Sequence, residues 1–173
     1  APFGYGEPMG TRSYHHGDLP EATKRAALAE ITEHGHAGLR IRAIARLIGV
    51  SHAAVFRHFP DREHLLAAIA AEAFGQLTQA LSAAHAGAPT AAAALDAGTD
   101  VYLAFAIDHP HLYRLMFDGS IEQLSHPALA TAAGASFSLL VEALSRMEHP
   151  DPHRTAVMAW STLHGLANLS IDG

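Results

Sequence analysis

The chain has 173 residues, a formal net charge of −6 and no cysteine; 49% of its residues are apolar, 16% are charged and 7% are aromatic. This supports a packed core, argues against disorder of the chain as a whole, and excludes a disulfide framework and thiolate chemistry. Alanine dominates the apolar set and β-branched residues are sparse, which biases the chain to an all-α fold. Asp, Glu, His or Arg interrupts each apolar stretch, so no bilayer span is expected and the plain reading is a cytoplasmic protein.

Residues 1–13 open with Gly- and Pro-rich sequence before Met9. They read as a disordered tail or a cloning remnant, since a charged start and an apolar run, the marks of a signal peptide, are missing. The first helix is expected from near Asp18, where Asp18 and Glu21 form a capping-box-like pair and Pro20 occupies the first turn. Leu19, Ala22, Ala26, Ala27 and Ile31 give it an apolar face, and Gly35 stops it. A second helix is predicted from about Ile41 to Leu47 and a third from about His52 to Phe59. Pro60-Asp61 break the chain, and Asp61 can cap the next helix. That helix is predicted from Arg62 to about His85, followed by Thr90–Asp108, His111–Phe117, Pro127–Met147 and His153–Ile171.

The segment between Ile41 and Phe59 has the spacing of a helix-turn-helix. Ala45 is small enough for close helix approach, Gly49 suits a turn that needs φ > 0, and Val55 supplies the apolar contact from the second helix. Ser51 is a good N-cap. In such a unit Ser51, His52, Ala53 and Ala54 stand where base edges are read. Ala53 or Ala54 can meet a thymine methyl, and His52 can reach a base edge or a phosphate. Arg42, Arg57, His58 and Arg62 are candidate phosphate contacts. A helical hairpin inside a bundle uses the same three small and apolar residues, so these positions alone leave both readings open.

Charge is distributed unevenly. Through His64 the sequence has 8 Lys/Arg against 7 Asp/Glu; beyond it there are 3 against 10. A head that meets DNA followed by an acidic body fits this asymmetry.

The longer stretch LRIRAIARLIGVSHAAVFRHFPDREHLL, with YHHGDL before it, resembles the tetracycline-repressor (TetR) family of regulators. Arg42-Ala43-Ile44-Ala45, Gly49-Val50-Ser51, Phe56-Arg57-His58-Phe59 and Arg62-Glu63-His64-Leu65 carry the resemblance. Three positions depart from the usual pattern. Phe56 replaces a Tyr whose hydroxyl touches phosphate, Arg40 replaces a capping Ser or Thr and can instead reach a phosphate, and Arg62 replaces a Lys. Tyr102 to Ala106 with His109-Pro110, Tyr113 to Phe117, and Trp160 with Leu163-His164-Gly165-Leu166 resemble the subgroup named for its Trp-His-Gly signature. The resemblance implies an all-α homodimer with a three-helix head at residues 14–60 and a larger antiparallel bundle at residues 61–173, which binds a small-molecule effector and dimerises. It further implies a double-stranded DNA operator, roughly palindromic, as partner. The family usually has one more helix than the sequence through Gly173 provides, so either that helix is absent here or the subgroup ends differently.

In the body, Tyr102, Phe105, Tyr113, Met116, Phe117, Phe137, Trp160 and His164 are the candidate ligand residues, with Tyr113 and His164 as the polar ones. An aromatic stripe at helical spacing is also what an ordinary core shows. The fourteen histidines lack a strong metal spacing, so neither metal nor cofactor is expected. A nucleophile with a recognisable base and a Gly-rich phosphate loop are both missing, so an enzyme is not expected. The alternatives are a helical small-molecule binding protein or enzyme without DNA function, and a metal-responsive regulator.

Overall fold

The computed structural model describes residues 19–117, 119 and 121–173, and these form eight α-helices and no strand. Asp18, the expected first cap, lies outside the described residues, as do the 1–13 tail and the YHHG motif. Helix α1 (Leu19–His34) buries Leu19, Thr23, Ala27 and Ile31 at helical spacing. Thr23 replaces Ala22 on that face because its hydroxyl donates to the Leu19 carbonyl at 2.8 Å, which makes burying it tolerable. Gly35 ends the helix at φ +76, a region that costs glycine nothing.

Helix α2 (Ile41–Leu47) and α3 (His52–Phe56) form the helix-turn-helix. The third helix is three residues shorter than the sequence predicts. Pro60 disfavours helical backbone at Phe59, although Phe59 N still donates to Val55 O at 3.0 Å and its ring is buried.

Helix α4 (Arg62–Gly87) is the spine, 26 residues and so about 39 Å long. Asp61 caps it through Oδ1, which accepts from His64 N at 2.9 Å. Helices α5 (Ala91–Asp108), capped by Thr90, and α7 (Pro127–Arg146) lie along it. Helix α6 (Pro110–Phe117) is short and packs against α1 and α4, and α8 (Pro152–Asp172), capped by Asp151, closes the bundle against α5 and α7. A 3-10 turn, Gln123–Ser125, precedes α7 where the sequence predicts only a loop.

One hydrophobic core runs without a break from Ala27 in α1 to Ala167 in α8. Leu65, Leu66 and Ile69 of α4, with Leu112 and Leu115 of α6, join the three N-terminal helices to the bundle. Lys24 bridges Glu21 and Glu72, tying α1 to α4, and Arg114 pairs with Asp172 to tie α6 to the end of α8.

The expectation that every apolar stretch is interrupted needs correction at α7. This helix has 20 residues and a mean hydropathy of 1.4, long and apolar enough by length and composition to cross a bilayer, and only 17% of the stretch is buried within this chain. Its Ser, Thr and Gly residues are too weakly polar to break the run, and Glu142 and Arg146 fall only near its end. Its contacts with α4, α5 and α8 make it a bundle helix in this structure.

Candidate nucleic-acid interface and effector cavity

The geometry of the helix-turn-helix follows from its small and apolar residues. Ala45, Ile44 and Val55 are 2%, 2% and 0% exposed, so the two helices meet through them. Gly49 adopts φ +73, and Val50 N then donates to Ala45 O at 3.0 Å to close the turn. Ser51 caps α3, its Oγ accepting from Ala54 N at 3.2 Å.

Of the residues expected at DNA, Arg40, Arg42, Ser51, Ala53, Arg57 and His58 are exposed, while His52, Ala54 and Phe56 are half-buried. Phe56 lies edge-on to His52 with ring centroids 4.0 Å apart, so the ring that lacks a hydroxyl instead holds the imidazole at the start of α3. Arg40 stands at the N-cap of α2 without a side-chain cap bond, leaving its guanidinium on the surface.

Arg62 is placed differently from the sequence expectation. Its guanidinium turns back onto the loop after α1, donating to Leu39 O at 3.1 Å, Ala37 O at 3.3 Å and His36 O. These loop carbonyls hold the guanidinium inward; that of His36 also accepts from Leu39 N at 3.1 Å. Arg46, which the sequence reading passed over, is exposed one turn after Arg42. The i,i+4 spacing was the signal available for it.

Two cavities lie in the bundle. The first, about 360 Å³, is bounded by α4, α5, α7 and α8 and lined by Leu77, Leu81, His85, Gly98, Tyr102, Phe117, Phe137, Leu144 and Trp160, among others. The second, about 580 Å³, lies on the other side of Phe117, Phe137 and Trp160, against Gly119, Ile121, Gln123 and Leu124, and includes Met116 and His164. Six of the eight residues expected at a ligand therefore line a cavity. Phe105 lines neither: it is fully buried, with its ring 5.4 Å from that of His109, and belongs to the core. Tyr113 is only 1% exposed and contributes through its hydroxyl alone.

That hydroxyl belongs to a three-membered polar cluster. Tyr113 Oη lies 2.7 Å from His164 Nδ1, Tyr102 Oη lies 3.1 Å from the same nitrogen, and the two hydroxyls are 3.2 Å apart. Burial pushes both phenols above their ordinary range and holds the His164 imidazole below its own. Burial thus favours the neutral form of His164, whose ring is stacked on Trp160 at 5.2 Å and met edge-on by Phe117 at 4.7 Å.

His85 was not among the expected ligand residues. It follows Leu77 and Leu81 at four-residue spacing on α4, and its Nε2 lies 2.8 Å from where a Cβ on Gly98 would sit. Burial, then the charge of Arg146, lowers its pKa. A reading guided by aromatics had no cause to single it out. Among the described residues, no group of three or more His, Asp or Glu is arranged to hold a metal ion; His15 and His16 lie outside them.

A helix-turn-helix with exposed arginines, joined to a helical body with apolar cavities, defines a DNA-binding helical regulator. The chain belongs to the TetR family: residues 25–69 match the profile described as bacterial regulatory proteins of the tetR family, and residues 95–173 match the tetracyclin repressor-like C-terminal domain. A protein of unknown function from a Rhodococcus species is 34% identical, with 94% of this chain and 88% of that one covered and a TM-score of 0.83. A tetR-family regulatory protein from Rhodococcus shares the fold at 19% identity, with 87% and 82% covered and a TM-score of 0.68. The TetR-family regulator PfmR from Thermus thermophilus does so at 19% identity, with 84% of each chain covered and a TM-score of 0.65. No curated protein matches the sequence.

Proposed function

We propose that this regulator is a repressor that binds a roughly palindromic operator as a homodimer in the cytoplasm and is released by a small molecule held in its body, with no enzymatic activity of its own. The observation that carries this reading is the pairing of a helix-turn-helix, whose α3 start is flanked by exposed arginines, with apolar cavities in the same chain. Residues 51–54 read base edges, while Arg40, Arg42, Arg57 and His58 hold phosphates. Two heads one helical turn apart, roughly 34 Å, engage successive major grooves. A ligand that binds better to a state with another head spacing lowers DNA affinity by that difference.

The dimer reading is supported by α8. Val157, Met158, Leu166 and Leu169 are 43%, 62%, 46% and 73% exposed, and a second copy covers them and the little-buried α7. Met158→Glu combined with Leu169→Glu is expected to give a folded monomer by analytical ultracentrifugation.

The experiment that tests the function is a gel shift with the DNA upstream of the protein's own gene, at stated low salt. Retardation relieved by a compound from a small-molecule screen is the expected result. Folded, dimeric protein that retards no DNA overturns the reading.

A further inference from the structure

The His164 cluster goes further than the presence of a cavity, because it fixes which hydrogen-bonding group faces a ligand. Three polar atoms meet: Nδ1 of His164 and the two phenolic oxygens. If Nδ1 carries no hydrogen, Tyr113 donates to it and Tyr102 donates to Tyr113 or to Nδ1, so both hydroxyl hydrogens are used inside the cluster. If Nδ1 carries the hydrogen, one phenol needs an acceptor elsewhere, and neither hydroxyl has another partner among the described residues. Buried hydroxyls without acceptors are disfavoured. The neutral ring therefore carries its hydrogen on Nε2.

Nε2 lies on the ring edge away from the Nδ1 contacts, makes no hydrogen bond among the described residues, and belongs to a side chain that lines the 580 Å³ cavity. Of the other polar side chains there, Gln123 donates to Met116 O at 3.4 Å and Ser136 to Ala133 O at 2.9 Å, and the Trp160 indole N–H, like His164 Nε2–H, is a donor and offers no acceptor. No charged residue is among the described lining, so an ion of either sign entering this space loses its hydration without a counter-charge.

We propose that the effector is a neutral, largely apolar molecule bearing a carbonyl oxygen, and that His164 Nε2–H donates to that oxygen from the wall of the second cavity. Tyr102 and Tyr113 are positioning residues that fix the tautomer, and Trp160, stacked on the imidazole, fixes its plane. The proposal rests on the reading of the body as an effector site and adds the chemistry of the effector.

Three probes of nearly equal shape separate the possibilities: acetophenone carries the carbonyl, ethylbenzene lacks it, and 1-phenylethylamine replaces it with an ammonium. Calorimetry on the full chain is expected to rank acetophenone about five- to tenfold above ethylbenzene, the worth of one hydrogen bond, with the amine weakest. The infrared carbonyl stretch of 13C-labelled acetophenone is expected to shift to lower frequency when bound. His164→Phe is expected to abolish the preference and the shift, and His164→Gln, whose amide nitrogen reaches toward the Nε2 position, to restore part of both. Equal binding of acetophenone and ethylbenzene, or an unshifted carbonyl in the wild type, overturns the proposal while leaving the body an effector site. Binding of none of the three overturns it too; the effector reading itself falls only if no compound in the wider screen releases DNA. The wild-type spectra decide the matter even if a variant fails to fold.

Discussion

His126, just before α7, donates through Nε2 to Glu63 Oε1 at 3.1 Å, joining the segment that precedes α7 to the start of the helix that follows the DNA-reading unit. Glu122 N reaches the same carboxylate at 3.4 Å, and the His126 ring lies edge-on to His64, 4.9 Å between centroids. Glu63 is half exposed, so the pair adds little to stability, less than about 1 kcal/mol. Its position links the stretch containing Ile121, Gln123 and Leu124, which border the cavity, to the start of α4 beside its cap Asp61. His126→Phe is expected to leave the urea midpoint and basal operator affinity nearly unchanged and to shrink the ratio of affinities with and without a releasing compound. An unchanged ratio in titrated gel shifts rules out this route of coupling.

The arginines of the head divide by what they touch. Arg42→Ala and Arg57→Ala are expected to weaken DNA binding across all sequences and to reduce the slope of log affinity against log salt by about one each. Arg62→Ala removes the guanidinium bonds to three loop carbonyls, of which that of His36 keeps its bond from Leu39 N, and is expected to cost stability, about 1–3 kcal/mol in urea unfolding, with the salt slope unchanged. A fall in slope for Arg62→Ala at full stability would return it to the phosphate contacts.

Two glycines test the backbone separately from packing. Neither Gly49 nor Gly38 has an atom within 4 Å of an added Cβ, but only Gly49 has positive φ, at +73. Gly49→Ala is expected to destabilise by about 1–2 kcal/mol through that conformation alone. Gly38→Ala is expected to be neutral or to stabilise by up to about 1 kcal/mol, by restricting the unfolded chain. Chemical denaturation of both variants checks the contrast.

Acid is expected to weaken the fold before carboxylates titrate. Burial is the first cause that lowers the pKa of His85, His109 and His164 below the ordinary 6.5. The unfolded chain then binds more protons than the folded one once the pH falls to about 6.5, so stability present above that value is lost as pH falls through it toward the lower folded values. The urea midpoint should therefore drop between about pH 7.5 and about pH 5.5, and His164→Phe should drop less steeply. A flat midpoint over that range would contradict the burial assigned to these rings.

Much of this molecule is determined by sequence through local rules. Helical periodicity and the residues Asp61, Thr90 and Ser51 place most helix starts within a residue, because a cap needs only its own side chain and the next three amides. Ala45, Gly49 and Val55 determine the turn for the same reason: size and allowed φ are properties of single residues. The tertiary structure decided what depends on residues distant in the chain. Arg62 turns inward because loop carbonyls twenty-three to twenty-six residues earlier accept from its guanidinium. Phe105 is core and Phe117 is cavity wall, although both are aromatics on neighbouring helices, because α5 turns one toward His109 and α6 turns the other toward Trp160. His164 gains a fixed tautomer only where two tyrosines, fifty-one and sixty-two residues away, meet its Nδ1. Hydrogen bonding and burial are settled by partners, and partners across a helical bundle are invisible to periodicity along one helix.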